Sequence, residues 1–359
     1  MQLTVIPYTL HFKQPAGTSR GVYTEHKVWF LRMQDDRGRI GWGEVAPLPN
    51  LSCDDVPDFE SVLHDVAANF NGTIDYERLR NYPSILFGLE CAQMACNEFD
   101  TMDMSTPFAT GTDGITINGL VWMGSFEEMS ARVEDKLRQG FSCIKIKIGA
   151  IDFEKEYELL QLVRQRFPAD KITIRVDANG GFGPDDASQK LERLARLDIH
   201  SIEQPIRAGQ WVKMAELCRT SPIKIALDEE LIGVNDPKRK CELLDTIKPQ
   251  YIILKPSLHG GLSGCNEWIQ FARERGIGFW ATSALESNIG LYYIALWAAT
   301  LGIDIPQGLG TGALYTNNID LPLQVVGEKL WVKGCVGKKM RELDDREWES
   351  QRVRVRSKE

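Results

Sequence analysis

Five charged residues stand at similar intervals along this sequence, each near the end of a short apolar run. They are separated by 30, 26, 25 and 27 residues, and they are Lys147, Asp177, Glu203, Asp228 and Lys255. If each run is one strand of a parallel barrel, the five side chains become neighbours, because the carboxyl ends of the strands meet at one mouth. The spacing therefore predicts a single polar site assembled from five strands.

The predicted site combines three carboxylates with lysines. Carboxylate oxygens without His or Cys form a hard ligand set, which favours Mg²⁺, with Mn²⁺ as the alternative, over zinc. Asp177, Glu203 and Asp228 are the candidate metal ligands. A protonated lysine cannot coordinate a metal ion, so Lys147 and Lys255 are candidates for acid and base chemistry.

The run "IKIKIG" (144–149) alternates lysine with isoleucine. Side chains of a strand point alternately to its two faces, so Lys145 and Lys147 share one face while the isoleucines share the other. Repulsion between the two ammonium groups, together with the charge of a metal, would lower a lysine pKa, whereas the carboxylates would raise it. The sequence leaves that balance open.

The same alternation sorts the carboxylates. In "TIRVDAN" (173–179), Arg175, Asp177 and Asn179 share one face, and the apolar residues between them suit packing against helices outside the barrel. In the fifth strand, Asp228 shares its face with a small residue, whereas Glu229 is expected on the outer side. Asp228 is therefore the preferred ligand of the two.

Short β-branched runs alternate with amphipathic segments from residue 114 onward. The first such segment has a helical start and stop, since Ser125 and Glu128 form a capping box and Gly140 ends the helix. Repetition of strand and helix about every 25 to 30 residues predicts an α/β fold with a parallel (β/α) barrel. The strand candidates are 114–121, 143–149, 172–179, 200–206, 223–230, 251–257, 276–283 and 305–311.

Three regions differ in pattern. Residues 1–110 combine alternating strands with later helical segments and predict a separate α+β unit. Residues 111–320 hold the barrel pattern. Residues 321–359 begin strand-like and end highly charged, so this segment is expected to pack back on the N-terminal unit or to fray in solvent.

Composition narrows the functional classes. A net charge of −8 over 359 residues gives no basic surface for nucleic acid or for an anionic membrane, so a small molecule is the expected partner. The apolar run 289–303 is shorter than the roughly 20 residues that span a bilayer, and the N-terminus lacks a signal-peptide pattern. Eight scattered cysteines without a CxxC pair indicate reduced thiols and a cytoplasmic protein.

The pattern resembles the enolase superfamily, specifically its muconate-lactonizing subgroup. The resemblance rests on a Lys-x-Lys in the second barrel strand, acidic residues in the next three and a lysine in the sixth, met here by "KIK", "VDAN", "EQP", "LDEE" and "LKPS". It implies a modified TIM barrel of the (β/α)₇β form, in which 305–311 is the last strand. It also implies an α+β capping domain formed by the N-terminal region and completed by the C-terminal segment.

Within the subgroup the sequence is most similar to the o-succinylbenzoate synthases, carbon-oxygen lyases (hydro-lyases) of menaquinone biosynthesis. The similar stretches are "GWGEVAPLP" (41–49), "LKPSLHGG" (254–261) and "TSALESNIG" (282–290). Dipeptide epimerases of the subgroup tend to carry Asp-x-Asp in the last strand, where this sequence has "GLGTG" (308–312). Dipeptide epimerase or N-acylamino acid racemase activity is the alternative.

The resemblance implies a Mg²⁺-dependent dehydration of a small carboxylate, 2-succinyl-6-hydroxy-2,4-cyclohexadiene-1-carboxylate, to 2-succinylbenzoate through an enediolate. Lys147 would remove the α-proton and then protonate the departing hydroxyl. Lys255 would stabilise charge on the ring from the opposite side, and Lys145 would tune the base. The expected substrate-binding residues are Arg20, Arg175, Asn179, Ser257, Ser283 and Gly310.

Two other functional classes are compatible with parts of this pattern. A lysine at the end of the sixth barrel strand can form a Schiff base, as in aldolases, but that chemistry leaves the three carboxylates unexplained. A binding protein that has kept the fold without activity is the second class, and the complete set of five residues argues against it. A homo-oligomer is compatible with every interpretation.

Overall fold

The computed structural model describes residues 1–18, 21–122, 124–149, 152–341 and 343. An antiparallel sheet of order β1-β2-β3 forms the N-terminal domain together with helices that follow it. The sequence correctly predicts this α+β unit of strands followed by helices. Its elements are β1 (Gln2–Thr18), β2 (Gly21–Gln34), β3 (Ile40–Val45), α1 (Phe59–Asn69), α2 (Pro83–Cys96) and α3 (Pro107–Thr110).

The backbones of helix α2 and strand β3 pack in direct contact, without side chains between them at Gly43 and Gly88. A Cβ added at Gly43 would overlap the carbonyl oxygen of Gly88, and one added at Gly88 would collide with Val45. Glycine at these two positions is what allows the close approach.

The remainder of the chain winds mainly into a seven-stranded parallel sheet of order β11-β10-β9-β8-β7-β6-β5 with helices between the strands. This confirms the predicted α/β barrel, and strands form within all seven candidates from 114–121 to 276–283. Pairing is parallel throughout, as βαβ connections require. The elements are β4 (Ile115–Thr116), β5 (Gly119–Val121), α4 (Phe126–Arg138), β6 (Cys143–Lys147), α5 (Phe153–Arg166), β7 (Thr173–Asp177), α6 (Ala187–Ala195), β8 (Ser201–Glu203), α7 (Trp211–Thr220), β9 (Lys224–Leu227), α8 (Pro237–Ile247), β10 (Tyr251–Leu254), α9 (Gly261–Glu274), β11 (Gly278–Ala281) and α10 (Asn288–Thr300).

The eighth candidate, 305–311, is not a continuous strand. It joins the two edges of the sheet through parallel bridges, from Gln307 to Ile117 beside β5 and from Gly308 to Thr282 beside β11. The backbone of Gln307 bonds to the chain on either side of Ile117, and its side-chain Oε1 accepts a 2.7 Å hydrogen bond from the Ala281 amide. We refer to 305–311 as the barrel seam.

The C-terminal segment forms a hairpin of β12 (Leu323–Val326) and β13 (Lys329–Val332), and β13 pairs with β4. Helix α11 (Val336–Arg341) follows and contacts β3 of the N-terminal domain. The single strand predicted at 114–121 is therefore divided in the structure, since β4 joins this small sheet and β5 joins the barrel.

Alternation of side chains in β6 places its isoleucines in the main core. Ile144 and Ile146 are fully buried there, while Lys145 and Lys147 face the barrel interior. The neighbouring strands β9, β10 and β11 add a small buried apolar cluster of Ala226, Ile253 and Trp280.

The cysteines and the long apolar run both have a defined place in the structure. All eight cysteines lie in the described part of the chain and are free. Among the described residues, no helix is long and apolar enough to cross a membrane, and the apolar run at 289–303 is instead mostly the buried helix α10.

Candidate active site

A cavity opens at the carboxyl ends of the barrel strands, with about 850 Å³ of space when its solvent-filled mouth is included. Both parts of the chain contribute to its wall, since the N-terminal domain supplies Tyr23, Leu48 and Leu51. The barrel contributes the polar lining, and its charged or amide side chains are Lys145, Lys147, Asp177, Asn179, Asp228, Glu229, Lys255 and Asn118. A cavity at this mouth is where enzymes with parallel barrels carry out their chemistry.

The strand register sets three of the predicted residues at one height. Lys147 of β6 is opposite Asp177 of β7, and Asp177 is opposite Glu203 of β8. Asp228 and Lys255 each follow directly after the last residue of their strands, β9 and β10. The structure thus brings together all five residues that the spacing singled out.

Lys145 connects two of the carboxylates. Its Nζ lies 2.9 Å from Asp177 Oδ2 and 2.8 and 2.7 Å from the two oxygens of Glu203. Burial alone would lower the pKa of Lys145, but the charges of Asp177, Glu203 and Asp228 outweigh it and raise that pKa. The balance left open by the sequence is therefore decided for Lys145 in favour of the ammonium form.

The carboxylates respond in opposite directions. Burial opposes ionisation of Asp177, yet Lys145 and Lys147 outweigh it and hold the pKa of Asp177 below its ordinary value. Burial and the neighbouring charge of Asp177 instead raise the pKa of Glu203. When buried carboxylates lie this close together, the negative charge of one makes ionisation of the next less favourable and raises its pKa.

Lys147 reaches into the cavity with a defined orientation. Its Nζ donates to Asn179 Oδ1 at 2.7 Å and to Asp177 Oδ2 at 3.1 Å, and it lies 5.8 Å from the centre of the Trp122 ring. Asn179 in turn donates from Nδ2 to Glu229 Oε1 at 2.9 Å. The lysine amine is thus held at the cavity surface by Asp177, the last residue of β7, and by Asn179 just after that strand.

Lys255, just after β10, pairs with Asp228, just after the adjacent strand β9, through a short contact between Nζ and Oδ2. Burial would lower the pKa of Lys255, but the charges of Asp228 and Glu203 raise it. His259 supports the loop, since its Nδ1 accepts a 3.0 Å hydrogen bond from the Lys255 amide. Burial lowers the pKa of His259 to about 3, so this imidazole is neutral.

The three predicted metal ligands are carboxylates, whose oxygen atoms are the donors that a hard divalent cation needs. Among the described residues, no group of three or more His, Cys, Asp or Glu side chains is arranged around a common metal position, because lysine ammonium groups lie between the carboxylates. The donor chemistry itself fits, since Asp177, Glu203 and Asp228 are buried carboxylates at the ends of adjacent strands. Asp228 Oδ1 has no hydrogen-bond partner within the described chain, although it is fully buried.

The six predicted substrate-binding residues separate into three groups. Asn179, Ser283 and Gly310 line the cavity, and Ser283 shares a 2.5 Å hydrogen bond with Thr311. Arg20 lies outside the described residues. Arg175 and Ser257 are not among the cavity-lining residues.

Arg175 and Ser257 are instead held below the cavity surface. The Arg175 guanidinium donates to the Pro306 carbonyl at 2.8 Å and stacks 4.2 Å from the Trp280 ring. Ser257 is fully buried and donates to Glu286 at 2.5 Å. Both side chains support the walls of the site from beneath.

The expectation that Glu229 points out of the barrel is wrong. Strand β9 ends at Leu227, and a turn of 3₁₀-helix begins at Glu229, so the alternation of faces stops before this residue. Glu229 therefore lines the cavity and bonds to Asn179. Burial, with the charges of Asp228 and Asp177, raises its pKa to about 7.

Other lining residues have no signal in the barrel period. Tyr23, Leu48 and Leu51 come from the N-terminal domain, and Trp122 follows β5. For Leu48 and Leu51 the sequence does carry a signal, because the Pro-rich turn after "GWGEV" places these apolar residues in a loop.

Two family models match the chain. Residues 128–332, more than half of the sequence, match the model described as "Enolase C-terminal domain-like". Residues 2–96 match the model described as "MenC, N-terminal domain".

Individual relatives agree with this division. The o-succinylbenzoate synthase of Desulfotalea psychrophila is 45% identical over 370 residues, which covers 92% of this chain and 99% of the relative. The crystal structure of MenC from the same organism superposes with a TM-score of 0.81 over 92% of this chain and 99% of that one. The L-Ala-D/L-Glu epimerase of Bacillus subtilis is 28% identical and covers 82% of each chain.

A more distant solved structure shares the fold alone. It is a dipeptide epimerase from Enterococcus faecalis complexed with Mg and a dipeptide, 17% identical, with a TM-score of 0.77 over 94% of this chain and 98% of that one. Both family models, the full-length relative and the arrangement of lysines and carboxylates agree. The chain therefore belongs to the enolase superfamily and, within it, to the family of o-succinylbenzoate synthases.

Proposed function

We propose that this chain is a hydro-lyase that converts 2-succinyl-6-hydroxy-2,4-cyclohexadiene-1-carboxylate to 2-succinylbenzoate, a step of menaquinone biosynthesis. The observation that carries the proposal is the presence of Lys147 and Lys255 at one cavity that is also lined by the buried carboxylates Asp177 and Asp228. The buried Glu203 lies next to them, bound to Lys145. Membership of the o-succinylbenzoate synthase family, with a relative 45% identical over nearly the full length, supports the substrate.

Asp177, Glu203 and Asp228 would hold a divalent cation, which we propose to be Mg²⁺, with Mn²⁺ as the alternative. Their oxygen-only chemistry and the unpartnered Asp228 Oδ1 support this assignment. When bound, such a cation stabilises negative charge that develops on a carboxylate of the substrate.

Lys147 acts as the base in its neutral amine form. It takes the proton from the carbon next to the substrate carboxylate, and as an ammonium it then returns a proton to the departing hydroxyl on the same face. The C–O bond breaks, water leaves, and the two ring electrons freed by deprotonation complete the aromatic product. Asn179 and Asp177 hold the amine in place for both steps.

Lys255 contributes charge rather than proton transfer. Because Asp228 and Glu203 raise its pKa, it stays an ammonium and stabilises the negative charge on the ring as a cation facing a π-system. Lys145 acts as the electrostatic neighbour of Lys147 and is tied to Asp177 and Glu203.

The polar wall of the cavity suits the succinyl tail of the substrate. Ser283, with its partner Thr311, and the backbone at Gly310 are the groups we assign to it. Asn179 serves the base, and Arg175 and Ser257 support the walls from below.

Three broader assignments complete the proposal. The chain divides into an N-terminal capping domain at 1–110, a catalytic barrel at 111–320 and a C-terminal segment at 321–359 that completes the capping domain. The contact of α11 with β3 supports the placement of the C-terminal segment against the N-terminal domain. A cytoplasmic location is consistent with eight free cysteines, and a homo-oligomer stays a prediction.

The direct test mixes purified protein and Mg²⁺ with the cyclohexadiene substrate and follows formation of the aromatic product by ultraviolet absorbance. A parallel panel of dipeptides and N-acylamino acids in D₂O, followed by mass spectrometry, detects α-proton exchange. Aromatic product that disappears with chelator and returns with Mg²⁺ is the expected result. Exchange in the panel without aromatic product would reassign the chain as an epimerase or racemase.

A further inference from the structure

Glu44 is a buried carboxylate of the N-terminal domain that ends on the barrel. It lies in β3, and its Oε1 accepts a 2.7 Å hydrogen bond from the Ser287 amide. Its Oε2 accepts from Ser287 Oγ at 2.5 Å and from the Gly290 amide at 2.8 Å. These donors are the first groups of α10, so Glu44 satisfies the amino end of a barrel helix from another domain.

Glu90 repeats this arrangement on the neighbouring helix. It lies in α2, and it accepts hydrogen bonds from the Leu262 amide at 2.5 Å and the Ser263 amide at 3.1 Å. These two amides belong to the first turn of α9. A carboxylate is favoured there because the unpaired amides and the helix dipole both attract negative charge.

Both helices have glycine where a carboxylate arrives. A Cβ added at Gly261 would overlap Glu90 Oε2, and one added at Gly290 would come within 2.9 Å of Glu44 Oε2. The room for each glutamate is therefore built into the receiving helix, independently of the hydrogen bonds.

The two receiving helices directly follow the loops that form one wall of the cavity. Loop 255–260 leads from Lys255 into α9, and loop 282–287 leads from β11, through Ser283, into α10. Glu286 ties the loops together, since it accepts from Ser257 Oγ at 2.5 Å and from the Ala284 amide at 2.6 Å.

We propose that Glu44 and Glu90 are positioning residues for the reaction, which dock the N-terminal domain on α9 and α10 and thereby fix the loops that carry Lys255 and Ser283. This inference rests on the proposed function for its consequence in catalysis. The docking itself is a property of the fold. A displacement of Lys255 or of the wall by a fraction of an ångström would cost rate, because catalysis depends on the placement of charge.

The test compares Glu44→Gln and Glu90→Gln with a matched control, Asp54→Asn. Asp54 is also a buried carboxylate on the amino end of a helix, accepting from the Ser84 amide at 2.9 Å and Ser84 Oγ at 2.6 Å, but both partners lie in the N-terminal domain. Activity is measured at pH 8.5, where the carboxyl groups of Glu44 and Glu90, with pKa values of about 7, are ionised. Each glutamine places an NH₂ group against backbone N–H donors.

We expect kcat to fall about tenfold or more in the two glutamine variants, with Mg²⁺ affinity unchanged, and to fall less than about twofold in the folded Asp54→Asn protein. Hydrogen exchange, read by mass spectrometry on the substrate-free protein, should accelerate at 255–264 in Glu90→Gln and at 282–290 in Glu44→Gln. Ser287→Ala serves if Glu44→Gln does not fold, and it should accelerate exchange in the same segment.

Equal loss of kcat in the control and the glutamine variants, or unchanged exchange in both loops, would overturn the proposal. The exchange measurement needs no substrate. If the wild-type protein forms no aromatic product, the proposed function fails, whereas the docking is still decided by exchange alone.

Discussion

Replacement of Lys147 by alanine tests the central chemical assignment. The variant loses the group that removes the proton and the same group in its later role as acid, and each role is worth about 10² to 10⁴ in rate. We expect kcat to fall by about 10⁴, which corresponds to about 5 kcal/mol in the activation barrier. The assay is formation of the aromatic product at saturating Mg²⁺.

The structure predicts that this variant still folds and still binds metal. Asp177 would lose its 3.1 Å contact with Lys147, but Lys145, 2.9 Å away, would remain as its second ammonium partner. The main structural cost is the loss of the donor to Asn179 Oδ1, worth about 1 to 3 kcal/mol, which a large domain tolerates. Titration calorimetry should therefore give a Mg²⁺ affinity within a few-fold of wild type.

Lys190→Ala provides the control, since Lys190 is also ion-paired, to Asp186 at 2.8 Å, but is not among the residues that line the cavity. Its kcat should match that of the wild type. A Lys147→Ala protein with kcat within tenfold of wild type would refute the assignment of the base. Loss of metal binding together with activity would show that Lys147 acts through Asp177 rather than on the substrate.

Three further predictions address charge, pH and packing. Lys255→Met should lower kcat about 10³-fold, which is the effect of losing one preorganised charge. Borohydride added with a carbonyl substrate should trap no adduct on Lys255 of the wild type. A trapped adduct, together with full activity in the presence of chelator, would favour the Schiff-base class. Burial raises the pKa of Glu90 from 4.5 to about 7, so the folded state binds this proton more tightly than the unfolded chain. The stabilising contribution of the protonated Glu90 is complete below pH 4.5 and is lost as pH rises through about 7. Between pH 4.5 and 8, the unfolding free energy of the wild type, measured by urea unfolding, should therefore fall by about 3 kcal/mol more than that of Glu90→Gln. An equal dependence of unfolding free energy on pH in the two proteins would contradict the assignment. Gly43→Ala should destabilise by about 3 kcal/mol, because the new Cβ overlaps the Gly88 carbonyl, and an unchanged midpoint of urea unfolding would contradict that packing.

The sequence predicts the barrel and its five charged residues because both follow from repeats. Alternation in β6 places Lys145 and Lys147 inside and isoleucine outside, and the strand period brings Asp177 and Lys255 to the same mouth. Both features follow from the two-residue period of a strand and the spacing of βα units.

Other features depend on where a strand stops and on how deep a side chain lies. Glu229 escapes the alternation because β9 ends at Leu227. Arg175 has the correct face but lies two residues deeper than Asp177, where Trp280 and Pro306 cover it. Periodicity gives the face of a residue, whereas depth and coverage are set by the packing of distant segments.

The barrel seam has a consequence for biosynthesis. The first strand of the barrel sheet, β5, cannot be joined to the last strand, β11, until Gln307 and Gly308 are available to bridge them. The N-terminal sheet also contacts the chain just after the seam, since Phe12 bridges to Tyr315 and the Lys13 amide bonds to the Leu314 carbonyl. During translation, closure of the ring and of the cavity above it therefore cannot precede the emergence of Gln307 and Gly308 from the ribosome, so the active site is completed only after all the strands that carry its charged residues have been synthesised.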